Sequence, residues 1–170
     1  MIELTALIDI ASPCATWRRV CPIAEDVARA AAQSALSRGG AGSGITQQTA
    51  IELAISLADD AVQRQLNRDW RGVDRPTNVL AFPAWERGAP IPPRAPLLLG
   101  DVVVAFETAA READEQGTPL ADHLSHLVVH GVLHLLGYDH ASEADAVAME
   151  SLETSILSGL GVPDPYRGTM

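Results

Sequence analysis

The chain of 170 residues has no lysine, and all 12 of its positive charges are arginines. Set against 22 acidic residues they leave a formal net charge of -10, which excludes broad electrostatic binding to nucleic acid. Cysteine is almost as scarce, with only Cys14 and Cys21 in "CATWRRVC". No further ligands stand near them, so they read as two ordinary reduced thiols of a cytosolic protein. The longest apolar runs, such as "PLLLG" and "DVVVAF", fall far short of the roughly 20 residues that cross a bilayer, so no membrane role is expected. The start, "MIELTALIDIAS", carries Glu3 and no basic cluster and does not read as a signal peptide, so a cytoplasmic location is expected. There is no internal repeat, no low-complexity tract and no linker.

At 47% hydrophobic and 20% charged, the composition suits one domain over residues 1–170 with its own core. The arginines are unevenly spread. Residues 64–94 hold Arg64, Arg68, Arg71, Arg75, Arg87 and Arg94 against Asp69, Asp74 and Glu86, whereas residues 107–170 hold eleven acidic residues and only Arg111 and Arg167. One basic segment therefore lies in an acidic molecule, its arginines either solvated, paired with neighbouring carboxylates, or facing an anion.

Alternation predicts strands over 2–9 and 49–57, a short strand over 78–82 and a strongly apolar one over 97–107. Helical spacing predicts helices over 21–36, 58–70, 106–116, 119–136 and 142–159. In the second of these, Ala61, Val62, Leu66 and Trp70 are expected to face inward. Ser142, followed by Glu143 and Asp145, reads as an N-terminal cap for the last helix. Residues 37–44 read as a flexible turn, 83–96 as a proline-rich surface loop, and 161–170 as a loose tail. Mixed strands and helices in this order predict an α+β fold: a small mixed β-sheet of about four strands covered by about five helices.

All five histidines fall between residues 123 and 140. At about 100° per residue, His123, His126, His130 and His134 lie within roughly 80° of one another on a helix. His130 and His134 are one turn apart, and Gly137 can turn the chain so that His140 folds back to complete a triangle of nitrogen ligands. Three protein ligands leave a fourth tetrahedral position open, as in catalytic rather than structural zinc sites. Imidazole suits zinc, copper, nickel and iron alike. His126 is expected to line the site or to hold a ligand in place, and His123 to lie near the surface. The spacing H-x-x-x-H-x-x-x-x-x-H is that of zinc proteases, which carry a glutamate base directly after the first histidine; here that residue is Gly131. Three neutral imidazoles leave the ion its full charge, so it can activate water unaided, and the absent side chain is expected to make room for a bulky substrate.

"HGVLHLLGYDH" at 130–140 resembles the metal motif of the YbeY family of rRNA maturation factors. "NRDWRGVDRPTNVLAFP" and "LLGDVVV" are similar to two further segments of that family, in the same order, and the likeness runs over about residues 45–166. Trp70 and Ala81 depart from it, where tyrosine and serine are common. The resemblance implies a zincin-like metal helix and one Zn2+ per chain, held by His130, His134 and His140. It implies a metal-dependent endoribonuclease acting on single strands, in 16S rRNA 3′-end maturation and ribosome quality control. The implied partners are precursor rRNA and the small ribosomal subunit, together with ribosomal or assembly-factor proteins. The family's functional arginine falls on Arg71, whose planar fork suits a phosphate; a salt bridge to Asp69 or Asp74 is the plain reading of the same residue. Asp139 orients an imidazole, moves protons, or simply caps its turn. Asp101 is expected to stabilise "RPTN" across the sheet, Thr77 and Asn78 to form a turn, and Tyr138 to pack or to stack a base. The competing functions are a zinc hydrolase of another substrate class, a zinc-containing assembly factor with little catalysis, and a structural zinc module.

Overall fold

Strand β2 (Ala50–Ala58) shows why the sheet forms. Ile51, Leu53, Ile55 and Leu57 are buried, while Glu52, Ala54 and Ser56 between them point the other way. In the computed structural model, which describes residues 5–41, 43–46 and 49–167, β2 pairs in parallel with β1 (Thr5–Ala11) and with β4 (Leu97–Ala105). Strand β3 (Val79–Pro83) runs antiparallel along the other edge of β4, with Val79 opposite Val104 and Phe82 opposite Asp101. The order is β1-β2-β4-β3, a four-stranded mixed sheet. Toward its end β4 is buried on both faces, from Val102 to Ala105.

Among the described residues, six helices surround the sheet. They are α1 (Ala15–Val20), α2 (Ala24–Gly39), α3 (Asp60–Arg71), α4 (Phe106–Gln116), α5 (Leu120–Leu135) and α6 (Glu143–Gly159). Helix α2 buries a stripe of Ala24, Ala28, Ala31, Ala32 and Ala35 beside Leu36, and the small alanines let it approach α5. Helix α5 is the centre of the core and packs against α2, α4, α6, β3 and β4. On the opposite face, Leu66 of α3 covers a small cluster of Ala58, Leu80 and Val103. Among the described residues, no helix is long and apolar enough to cross a membrane.

The α+β architecture agrees with the sequence reading, and several details differ. Helix α1 was not expected; it is short, and its one buried anchor is Trp17, whose Nε1 donates to the Ala58 carbonyl at 3.0 Å. The first strand runs on to Ala11, past the Asp9 where alternation ended it, and residues 2–4 of that expectation lie outside the described residues. Helix α3 turns Leu66 inward as expected, but Ala61 is exposed and the rest of its inward face differs. Trp70 is 75% exposed and Val62 43% exposed, whereas the amides Gln63 and Asn67 are buried. The segment 162–167 is docked rather than loose: Val162 is buried, and Val162 N donates to the Leu157 carbonyl at 2.9 Å.

Candidate metal centre

The site lies where α5 ends. Gly137 adopts φ 96°, a left-handed conformation that favours glycine. Tyr138 N donates to the Leu133 carbonyl at 3.0 Å and Gly137 N to the His134 carbonyl at 3.0 Å, the paired bonds of a Schellman stop. The chain then doubles back. Asp139 Oδ1 accepts from His140 N at 2.8 Å and so caps the turn that presents His140. Ser142 caps α6 by accepting from Asp145 N at 3.1 Å, as expected from the sequence.

His130, His134 and His140 each offer a ring nitrogen within 4.8 Å of the other two. His130 Nε2 and His134 Nε2 stand 3.0 Å apart. Two nitrogens bound tetrahedrally at about 2.0–2.1 Å would sit roughly 3.3 Å apart, so the pair is spaced for a shared ion. Metal binding also needs neutral rings. Burial, aided by the neighbouring His130 and His140, pushes the His134 imidazole down to about 4, against the opposing pull of the Tyr138 backbone and Asp139. The donor set therefore fits a divalent metal ion.

His130 is oriented from behind. Its Nδ1 donates to Glu153 Oε1 at 2.5 Å, which leaves the Nε2 lone pair facing the site. Glu153 is fully buried on α6. Burial alone would raise its carboxyl; hydrogen bonds from His126, His130 and Tyr166 outweigh that and hold it down at about 2. His126 Nε2 donates to Glu153 Oε2 at 2.9 Å and Tyr166 Oη to the same oxygen at 2.5 Å. Burial and the Glu153 carboxylate push the Tyr166 hydroxyl up, so it remains a donor. Glu153 and Tyr166 escaped the sequence reading. A signal for Glu153 was present: it shares its helical phase with Met149, Ile156 and Leu157, and a carboxylate on an apolar stripe calls for a partner. His123 is not at the surface. It is 4% exposed and bonded to Glu112 at 2.9 Å, and Glu112 also accepts from Asn78 Nδ2 at 3.0 Å.

The three histidines open on a cleft of about 620 Å³, whose wall also includes Arg71, Asn78, Tyr138 and Asp139. Arg71 ends α3. Neither Asp69 nor Asp74 pairs with it among the described residues; Asp74 holds Arg64 at 2.9 Å and Asp69 holds Arg68 at 3.3 Å. Gly72, at φ 71°, turns the chain, and buried amides of α3 then secure the loop. Gln63 Oε1 accepts from Thr77 N at 2.8 Å while Gln63 Nε2 donates to the Val103 carbonyl at 3.0 Å. Asn67 Nδ2 donates to the Arg75 carbonyl at 2.8 Å. "RPTN" is thus held by Gln63 and Asn67, not by Asp101, which lies opposite Phe82 on the exposed face of β4. Tyr138 is packed: its hydroxyl donates to the Gly39 carbonyl at 3.0 Å and Arg87 lies over its ring at 4.8 Å.

Gly131 has a packing reason beside the expected one. A Cβ there would meet Val102 Cγ1 at 2.8 Å and Val79 Cγ2 at 3.4 Å. The position lets the helix approach the sheet while Gly131 also lines the cleft, and a Cβ there has no room beside Val102.

The sequence profile of the family described as Endoribonuclease YbeY matches residues 18–161. A relative named endoribonuclease YbeY from Paramagnetospirillum magneticum is 53% identical over 166 residues, covering 96% of this chain and 98% of its own. Another of that name from Bradyrhizobium sp. is 51% identical over 166 residues, covering 95% and 92%. The solution structure of TM1509 from Thermotoga maritima matches with a TM-score of 0.53 at 20% identity, over 91% of this chain and 92% of that one. At that identity the likeness speaks to the fold.

Proposed function

The chain belongs to the YbeY endoribonuclease family, and from that premise we propose that it is a zinc-dependent endoribonuclease cutting single-stranded RNA. Its role is 16S rRNA 3′-end maturation and ribosome quality control in the cytoplasm. The observation that carries this reading is one cleft on which three convergent imidazoles and the Arg71 guanidinium meet. His130, His134 and His140 would hold the ion, one per chain. When bound, zinc supplies Lewis acidity toward a phosphoryl oxygen and lowers the pKa of water.

The protein's own residues do the rest. Arg71 grips the scissile phosphate through its planar fork and offsets the charge that grows on it during cleavage. Asp139, the one carboxylate among the described residues lining the cleft, accepts the proton of the attacking oxygen. Tyr138 and Asn78 shape the wall past which the strand runs.

At a net charge of -10 the protein binds naked RNA weakly. Specificity comes from the small subunit, with precursor rRNA and ribosomal or assembly-factor proteins as partners. The test is zinc analysis joined to cleavage of precursor rRNA, both naked and within 30S or 70S particles. His134→Ala is expected to lose zinc and cleavage together. Arg71→Glu should lose cleavage while keeping its zinc. A His134→Ala protein that still folds and still matures rRNA would leave an assembly role in place of catalysis. Tight, salt-insensitive cutting of naked precursor at one correct site would remove the need for partners.

A further inference from the structure

Tyr166 reaches the site from outside every helix and strand. After α6 the chain folds back on itself: Asp164 Oδ1 accepts from Tyr166 N at 2.9 Å and from Thr154 Oγ1 at 3.3 Å. Arg167 N donates to the Asp164 carbonyl at 3.2 Å, and Val162 is buried beneath. This turn stands the Tyr166 ring edge-on to His126, with centroids 5.6 Å apart. The hydroxyl meets Glu153 Oε2, the oxygen that His126 also holds, while Oε1 meets His130.

A carboxylate turns easily about its last torsion. Two donors on Oε2 stop that rotation and leave Oε1 aimed at His130 Nδ1. We propose that the segment 162–167 is a clamp on the metal centre, in which Tyr166 and His126 are positioning residues that fix Glu153, and Glu153 fixes the His130 imidazole with Nε2 toward the cleft. The clamp rests on the ligand triad proposed above. It makes metal retention depend on a hydroxyl that never faces the cleft. Groups standing behind metal ligands in this way alter metal affinity by roughly 10–100-fold when removed.

The experiment measures zinc dissociation constants of the full chain by competition with a chromogenic chelator, with the melting temperature of the metal-free protein as the control for folding. Glu153→Gln is expected to weaken zinc binding roughly 10–100-fold, and Tyr166→Phe, acting at one remove, about tenfold. Tyr166→Phe keeps the ring against His126 but takes one donor from a buried carboxylate, so its metal-free melt should fall by several degrees while remaining a single cooperative transition. The double variant should bind no more weakly than Glu153→Gln alone, because the hydroxyl acts through that carboxylate. Parental affinity in Tyr166→Phe overturns the clamp, as do losses that multiply in the double variant. If Glu153→Gln does not fold, Tyr166→Phe against the parent decides alone. His134→Ala binding zinc as tightly as the parent would instead overturn the triad, a different failure with its own signature.

Discussion

Replacing Gly131 by alanine tests why the motif helix lacks a side chain after its first histidine. The added methyl would lie 2.8 Å from Val102 Cγ1, 3.2 Å from Val102 Cγ2 and 3.4 Å from Val79 Cγ2. Relaxed carbon contacts are about 3.5–4.0 Å, so the nearest falls well short. Val102 cannot step aside. It is fully buried on β4 between two neighbouring strands, and a β-branched side chain has little freedom at χ1. Overpacking a full core costs typically ~1–3 kcal/mol, and a stiff obstacle puts this case toward the upper end. Alanine returns ~1 kcal/mol in helix propensity over glycine, leaving a net loss of about 1–2 kcal/mol. In a domain of this size each kcal/mol moves Tm by roughly 2–4 °C, so thermal melts of the metal-free protein should fall by about 2–8 °C. Val102→Ala in the same chain removes the obstacle, and the double variant should lose clearly less than the two single losses added together. A Gly131→Ala protein that melts at or above the parent, or strictly additive losses, would refute the packing account.

Gly131→Glu extends the same reasoning to the missing base. Its carboxylate would be forced between α5 and the sheet with no partner, a cost of several kcal/mol. The expected outcome is an unfolded or insoluble protein with no peptidase activity. A soluble variant that cleaves peptides would show that the helix can host the zinc-protease arrangement after all.

Two further outcomes follow from how the cleft is supported. Gln63→Ala leaves the Thr77 N–H and the Val103 carbonyl without their partner, a loss of about 2–6 kcal/mol at ~1–3 per orphaned group. Denaturant unfolding should register that loss and kcat/KM should fall through the loop beside Arg71 while zinc content stays normal; unchanged stability would discount the amide anchor. Gly137→Ala must hold a side chain at φ 96°, with its Cβ 2.9 Å from Arg87 Cβ, a strain of about 1–2 kcal/mol. It should loosen zinc by displacing His140, and parental affinity in the chelator competition would take the Schellman stop out of the site's design.

How far the site could be read in advance followed from how local each of its parts is. His130 and His134 are one helical turn apart and His140 lies just past a glycine stop, so the proposed ligand set is written within eleven consecutive residues. The parts that support it are written far apart. Glu153 reaches His130 across 23 positions and Tyr166 reaches His126 across 40, and no periodicity connects them. Helix α3 misled for a related reason. Apolar residues at helical spacing favour Val62 and Trp70 beside Leu66; Leu66 does pack on the small cluster, but the residues buried with it are Gln63 and Asn67, because the helix has to hold a loop's backbone as well as cover that cluster. Gly131 and His123 depend on residues that their own sequence neighbourhood does not contain. The Gly131 position is decided by Val102 on another element, and that of His123 by Glu112. A polar residue on the buried phase of a helix, such as Glu153 among Met149, Ile156 and Leu157, carries a sequence mark that Gly131 and Tyr166 lack. Burying an unpartnered carboxylate costs too much for such a residue to persist without donors brought from elsewhere in the fold, so the mark announces a distant partner before the structure names it.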